Sequence, residues 1–284
     1  MHMGPRKVIW IAGATGRIGQ AVERLLDHGD YVIITTDTEL DVTDHEAVLQ
    51  YVSINRPNIV INCAAMADEA ACEANPVEAY RVNAMGARNL AAAAWSVGAS
   101  IVQLSTDDVF SGKERGSYNE FDAVLPRDNA YAKSKIAGEN FVRELNPKHV
   151  IVRSNWVYGA EPGYWFAEVL ECGRTGTPLA VPANQLSSPT SVTTLAACIV
   201  ALIESEEYGL FHVADEGVVS RYDFACTVLK LAGLPTDCLR PVNDPGEART
   251  INLVNLMLSM TGIYTMPAWQ DDLRDYMAAH DLLA

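Results

Sequence analysis

The chain has 284 residues, 49% hydrophobic and 20% charged, which supports one large core or two fused lobes and excludes a disordered chain. Its formal net charge of −15 argues against nucleic acid and anionic membranes as partners, while small anions can still be held by helix N-termini or single arginines. Six cysteines, at 63, 72, 172, 198, 226 and 238, form no C-x-x-C pair, and no His/Cys cluster has zinc spacing, so reduced thiols and no metal site are expected.

Met1 to Lys7 reads as a loose end. Val8-Ile9-Trp10-Ile11-Ala12 is a short apolar run, as in a strand buried on both faces, and too short for the core of a signal peptide. A glycine-rich turn follows, then a helix with Ile18, Val22, Leu25 and Leu26 on one face, stopped by Gly29. Tyr31 to Thr35 predicts a second strand. Thr43 with Glu46 three residues on reads as a capping box opening the next helix. Asn58 to Asn62 is another buried strand. Pro76 precedes a long helix through Asn83 and Leu90 to Val97, ended by Gly98, and Ile101 to Ser105 is a strand again.

Thr106 to Asn129 is a long polar connection, of a length that is usually functional inside a compact domain. Tyr131 to Leu145 is helix-like and closes at Asn146-Pro147. Val150 to Arg153 is a strand. From Trp156 the pattern loosens around Pro162, Gly163, Gly173, Gly176, Pro178 and Pro182. Val192 to Glu204 reads as a helix, Leu210 to Ala214 as a strand, and Ser220-x-x-Asp223 caps one more helix to Ala232. Cys198 and Cys226, in apolar helical stretches, read as small core residues.

Strands alternating with helices at this spacing predict an α/β fold with a doubly wound parallel sheet of the Rossmann type and right-handed crossovers. The dinucleotide-binding domain is expected over 1–156. A smaller, interleaved substrate lobe is expected over 157–284, with about 191–214 returning to the main sheet. No apolar stretch reaches membrane-spanning length, so a soluble, cytoplasmic protein is expected.

Gly13-Ala-Thr-Gly16-Arg-Ile-Gly19 lies between the first strand and first helix. Gly13 permits the tight turn, Gly16 lets the backbone approach a pyrophosphate, and Gly19 allows close helix packing. The helix N-terminus adds free N–H groups and partial positive charge. Tyr131-Ala-Lys-Ser-Lys135 puts a phenol and an ammonium on one helix face. A free phenol titrates near pH 10, and a neighbouring ammonium lowers that value, which makes Tyr131 a usable proton donor. Ser105-Thr106-Asp107 closes a strand whose carboxyl end faces the ligand side of such sheets, so Thr106 can bond a substrate oxygen. Asn62-Cys63-Ala64-Ala65 ends another strand with small side chains that let a cofactor lie against the backbone.

These residues resemble the extended short-chain dehydrogenase/reductases, most closely the dTDP-4-dehydrorhamnose reductase family, over almost the whole chain. The matching landmarks include Leu40-Asp-Val-Thr-Asp44, Val82-Asn83 with Gly86, Val109-Phe110 and Gly138-Glu139. They continue through Arg153-x-x-Trp156-Val-Tyr-Gly159, Ser188-Pro189-Thr190 and Pro267-x-Trp269. The resemblance implies a catalytic trio of Thr106, Tyr131 and Lys135. It implies cofactor contacts from Gly16, Arg17, Ile18, Asp41, Val42 and Ala64 to Met66. Gly13, Thr15, Gly19, Thr35 and Leu104 join the cofactor side, with Tyr131 and Lys135. Thr106, Asp107 and Trp156 are implied substrate contacts, and Asp108 is added at the mouth of the site.

Three departures stand out. Asp108 occupies the position of a family tyrosine, and either faces the sugar or makes an Asx-type turn. Ala70-Ala71 replace an Asp-Lys pair. Gly246 to Asn252 lacks an Arg-Pro-x-x-Ser signature. The implied activity is NAD(P)H-dependent reduction of a nucleotide-linked 4-keto-deoxysugar. The alternatives are an epimerase or dehydratase of the same superfamily, or a non-enzymatic dinucleotide-binding regulatory subunit. At the end of the second strand stand Thr35-Thr36, with Asp37 just beyond, and Arg17 can reach a 2′-phosphate; the expectation is NADPH, with NADH also accepted. A nucleotide-sugar substrate and a homodimer complete the expectations.

Overall fold

The computed structural model describes residues 6–114, 116–161 and 163–284. Met1–Pro5 of the expected loose end and Pro162 lie outside them; Lys7 already opens a strand. In chain order the first elements are β1 (Lys7–Ala12), α1 (Arg17–Leu25), β2 (Tyr31–Thr36), α2 (His45–Asn55), β3 (Ile59–Asn62) and α3 (Glu69–Ala74). Then come α4 (Pro76–Tyr80), a π-helical segment (Arg81–Gly86), α5 (Ala87–Ser96), β4 (Ser100–Thr106) and a 3-10 turn (Asp107–Val109). β5 (Ser117–Tyr118), α6 (Ala130–Leu145), β6 (His149–Ser154), β7 (Val157–Tyr158), α7 (Trp165–Thr175), β8 (Leu179–Pro182), β9 (Gln185–Ser187) and β10 (Thr190–Ser191) follow. The rest is α8 (Val192–Ser205), β11 (Gly209–His212), β12 (Val219–Ser220), α9 (Arg221–Leu231), β13 (Leu239–Val242), β14 (Arg249–Leu253), α10 (Leu256–Thr261) and α11 (Trp269–Ala279).

The chain forms two compact units. One takes in the chain up to Val109, Val124–Arg153 and Ala196–Phe211; the other takes in Phe110–Ala123, Ser154–Leu195 and His212–Ala284. In the first unit lies a six-stranded sheet of order β11-β6-β4-β3-β1-β2. The pairs β1–β2, β1–β3 and β3–β4 are parallel. The apolar strand runs predict this sheet because β1, β3 and β4 are covered on both faces: Ile9, Trp10, Ile61 and Ile101 are fully buried. Chain order reverses between β1 and β3, so the loops after these two strands flank a topological switch point, where ligands bind on open α/β sheets.

In the second unit β9 pairs with β12 and β14, and β14 pairs with β5. This pairing draws Phe110–Ala123 into the second unit: Phe110 stacks on Tyr118 at 4.2 Å between ring centroids. An aromatic cluster of Tyr158, Phe166, Phe224 and Tyr276 forms its core.

Several local expectations shift. Asp44, not Thr43, caps α2, its carboxylate accepting from Ala47 N at 3.1 Å; Asp41 accepts from Thr43 N instead. The helix expected from Pro76 to Val97 is interrupted by the π-helical segment, an unusual geometry that recurs at functional sites. Helices α3, α7, α10 and α11 are additions to the sequence reading. Leu25, placed on the apolar face, is 43% exposed, because α1 ends there and the chain turns away. Ser220 caps α9 as predicted, accepting from Asp223 N at 3.0 Å. All six cysteines are free thiols; Cys198 is buried and Cys226 half-buried. Among the described residues no helix is long and apolar enough to cross a membrane.

Candidate active site

The glycine loop owes its shape to Gly13. Its φ is +76°, and a Cβ there would lie 2.6 Å from Ala64 N, so only glycine lets the loop after β1 touch the loop after β3. Gly13 N and Ala14 N both donate to Thr36 O, which ties the loop to the end of β2. Gly19 packs equally tightly, its Cβ position 2.7 Å from Gly13 O, and so acts in packing. Gly16 is the N-cap of α1 and makes no side-chain cap bond, so no side chain of its own covers the positive end of the helix. A cleft of about 340 Å³ opens here, lined by Gly13, Thr15, Gly16, Asp41, Val42, Ala64 and Ala65 of the expected cofactor residues. The helix end, the glycine-rich loop and this cleft fit a dinucleotide.

Asp37, Thr38 and Cys63 also line the cleft, whereas Thr35 does not. The sequence reading ended β2 one residue early. The strand continues to Thr36, whose hydroxyl accepts from Trp10 Nε1 at 2.9 Å, and Asp37 is the first residue past it. Asp37 accepts from Thr15 N at 3.0 Å and from the Thr15 hydroxyl, and this hydroxyl bond holds its carboxyl below the usual range. The cleft therefore carries a fixed carboxylate where a cofactor ribose is expected. Arg17 and Ile18 are half-buried beside the loop and do not line the cleft. Asp41 pairs with Arg81 at 3.6 Å.

Thr106 is the last residue of β4 and Tyr131 the second residue of α6, a helix capped by Asn129, which accepts from Ala132 N at 2.7 Å. The fold brings Thr106 beside Tyr131, near enough for the threonine hydroxyl to act on the phenol. Asp108 N donates to Thr106 Oγ1 at 3.2 Å, so the turn after β4 is closed on Thr106. The Asp108 carboxylate is taken up by Arg127, 3.1 Å away.

Lys135 is buried, and its Nζ donates to Leu104 O at 2.7 Å. Burial draws its pKa down to about 8, against the pull of Glu139. The expected lowering of the Tyr131 pKa is not what the structure shows. Burial of the phenol, then the Asp108 carboxylate, raises it above its ordinary value, and the Thr106 hydroxyl works the other way. The phenol is thus held protonated, the state a proton donor needs.

Two supporting groups were missed in sequence. Asn83, in the π-helical segment, accepts from Met66 N at 2.8 Å and donates to Met66 O and Ser134 Oγ, both at 3.0 Å. It ties the cofactor-side loop to the catalytic helix. Glu139 accepts from Ser105 Oγ at 2.5 Å and forms a bidentate pair with Arg153 at 2.9 and 2.7 Å; both members are 2% exposed. The paired motifs Gly138-Glu139 and Arg153 were visible, but not their contact. Trp156 belongs to the second unit. Its φ is +38°, rare for a bulky residue, and Arg221 lies 4.2 Å over its ring.

Residues 6–281 match the model of the RmlD substrate binding domain family. The chain is 33% identical over 282 residues to a dTDP-4-dehydrorhamnose reductase of Mycobacterium tuberculosis, covering 95% of this chain and 92% of the relative. A crystal structure of a dTDP-4-dehydrorhamnose reductase from Clostridium acetobutylicum is 38% identical, with a TM-score of 0.90 over 96% of this chain and 99% of that one. A dTDP-4-dehydrorhamnose reductase of Bacillus anthracis, solved in complex with NADP, is 34% identical, with a TM-score of 0.91 over 97% and 100% of the two chains. By its sequence across nearly its whole length, and by its fold, the chain belongs to the RmlD substrate binding domain family.

Proposed function

We propose that this protein reduces a nucleotide-linked 4-keto-deoxysugar of the dTDP-4-dehydrorhamnose type with NADPH, NADH also serving. The observation that carries the reading is the placing of Thr106 beside Tyr131 at the end of β4, with Lys135 one helical turn on, moored to the same strand. When bound, the dinucleotide supplies the hydride. Tyr131 holds the proton that passes to the carbonyl oxygen as it becomes a hydroxyl, and solvent reprotonates the phenolate. Thr106 orients the carbonyl oxygen. Lys135 places a positive charge beside the cofactor ribose and offsets the phenolate. Donors fixed in advance stabilise the oxyanion as it develops.

The second unit is taken as the sugar-nucleotide lobe, with Trp156 and Arg221 as contacts. The same reading makes this a cytoplasmic enzyme acting on a small molecule, with homodimerisation tested by gel filtration. The test of function is NADPH oxidation against a panel of 4-keto nucleotide sugars. Stoichiometric NADP⁺ formation supports the reduction. Sugar conversion with the cofactor retained would point to an epimerase or dehydratase, and dinucleotide binding without turnover to a regulatory subunit.

A further inference from the structure

Two of the departures from the family lie on two elements that one arginine joins. Asp108 replaces a tyrosine in the turn after β4, and Ala70-Ala71 replace an Asp-Lys pair on α3. Arg127, four residues ahead of Tyr131, reaches both elements. Its Nη1 stands 3.1 Å from Asp108 Oδ1 and 2.8 Å from Glu69 Oε2, with side-chain exposures of 18% for Arg127 and 10% for Asp108. The main chain repeats the tie, Arg127 N donating to Asp108 O at 3.1 Å. Around it the start of α6 is stapled to α3: Asn129 Nδ2 donates to Glu69 Oε2 at 3.2 Å, and Ala130 N donates to Glu73.

We propose that Arg127 is a positioning residue for the reduction: its guanidinium locks the turn carrying Thr106 and Asp108 to α3 and to the start of the helix carrying Tyr131. The inference rests on the reductase reading. The chemistry is specific to this chain's charges. Asp108 and Glu69 both act to raise the phenol's pKa, as does Asp107. Arg127 faces two of these three carboxylates and offsets them. Burial works against its own charge, but Asp108 and Glu69 outweigh burial and raise the Arg127 pKa, so it stays charged throughout the working range. A largely buried pair of this kind costs far more to break on one side than on both, because a lone buried charge is left behind.

The test compares wild type, Arg127→Gln, Arg127→Lys and the double variant Asp108→Asn/Arg127→Gln, all as full chains. NADPH oxidation with dTDP-4-dehydrorhamnose is measured at pH 7, where the raised Tyr131 phenol keeps its proton, and hydrogen exchange is measured over 106–109 and 127–131. Arg127→Gln is expected to lose on the order of tenfold in kcat, the scale of a small misplacement of reacting groups, with KM for NADPH unchanged. Exchange in both segments should quicken. Arg127→Lys should recover part of kcat. The double variant leaves no lone buried charge, so it should be more stable than Arg127→Gln while its kcat stays low, the lock being absent from both. An Arg127→Gln enzyme with wild-type kcat and exchange would overturn the proposal. So would a double variant with wild-type kcat, which would show that the lock is dispensable. If wild type turns over none of the sugar panel, the reductase reading fails, and exchange alone then decides: quickening upholds the lock, and unchanged exchange overturns it.

Discussion

Lys135 Nζ donates to the carbonyl of Leu104 at 2.7 Å, so the ammonium one turn beyond Tyr131 is moored to β4 near its end. Burial brings its pKa down to about 8. The positive charge is complete well below that pH and is lost as pH rises through it. The cation proposed to meet a cofactor ribose therefore sits at the edge of its charged range.

Cofactor binding should accordingly weaken with alkalinity. NADPH affinity of the wild type, followed by nucleotide fluorescence, is expected to fall several-fold between about pH 7 and pH 9, the span over which a group of pKa near 8 discharges. Lys135→Met should bind weakly at every pH, with a flat profile. Parallel profiles for the two proteins would show that the Lys135 charge does not reach the cofactor.

Cofactor choice should hinge on two opposed side chains. The Asp37 carboxylate, fixed by Thr15, suits ribose hydroxyls and repels a 2′-phosphate; Arg17, on the proposed reading, favours the phosphate. Asp37→Ser is expected to shift the ratio of NADPH to NADH efficiency upwards by about tenfold, and Arg17→Ala to shift it downwards by a similar factor. Equal effects of either substitution on both cofactors would remove that residue from the selection.

Much of this site is legible in the amino-acid sequence. Continuous apolar runs announced β1, β3 and β4, and the residues that follow such strands are where a parallel sheet binds its ligands. The Tyr131/Lys135 spacing needed only a helix. What escaped was set by distant partners. The π-helical segment leaves no period of its own, and Asn83 acquires its role only where α6 comes close enough that a Cβ on Gly138 would collide with Asn83 O. Asp37 was hidden by an error of one residue in β2. Arg127 meets Glu69 across 58 residues of chain, a pairing no local pattern encodes. The Lys135 effect on Tyr131 was misjudged because sequence shows proximity but not burial, and burial dominates both groups.

Stability should fall as pH rises, because of a buried acid pair in the second unit. Asp272 accepts from Tyr158 Oη at 3.0 Å, Ser191 N at 2.7 Å and Ser191 Oγ at 2.8 Å. Asp215, 1% exposed, is pushed up to about 10, first by burial and then by the neighbouring Asp272, with Glu216 adding to the effect. The folded state keeps a proton that the unfolded chain releases near pH 4, so this contribution is present at low pH and is lost progressively up to about pH 10. Asp215→Asn supplies a permanent donor. Its Tm should decline less than that of wild type between pH 5 and pH 9; identical slopes would show that Asp215 does not carry the proton.

The most direct measurement of the central claim is single-turnover NADPH oxidation by Tyr131→Phe with dTDP-4-dehydrorhamnose. The substitution removes the proton donor and leaves the ring that packs against Cys72, Ala79 and Ala130. The account predicts a loss of roughly 10²-fold or more in the chemical step, the usual scale of general acid catalysis, with NADPH affinity within about twofold of wild type. A Tyr131→Phe enzyme that reduces the sugar at the wild-type rate would contradict it.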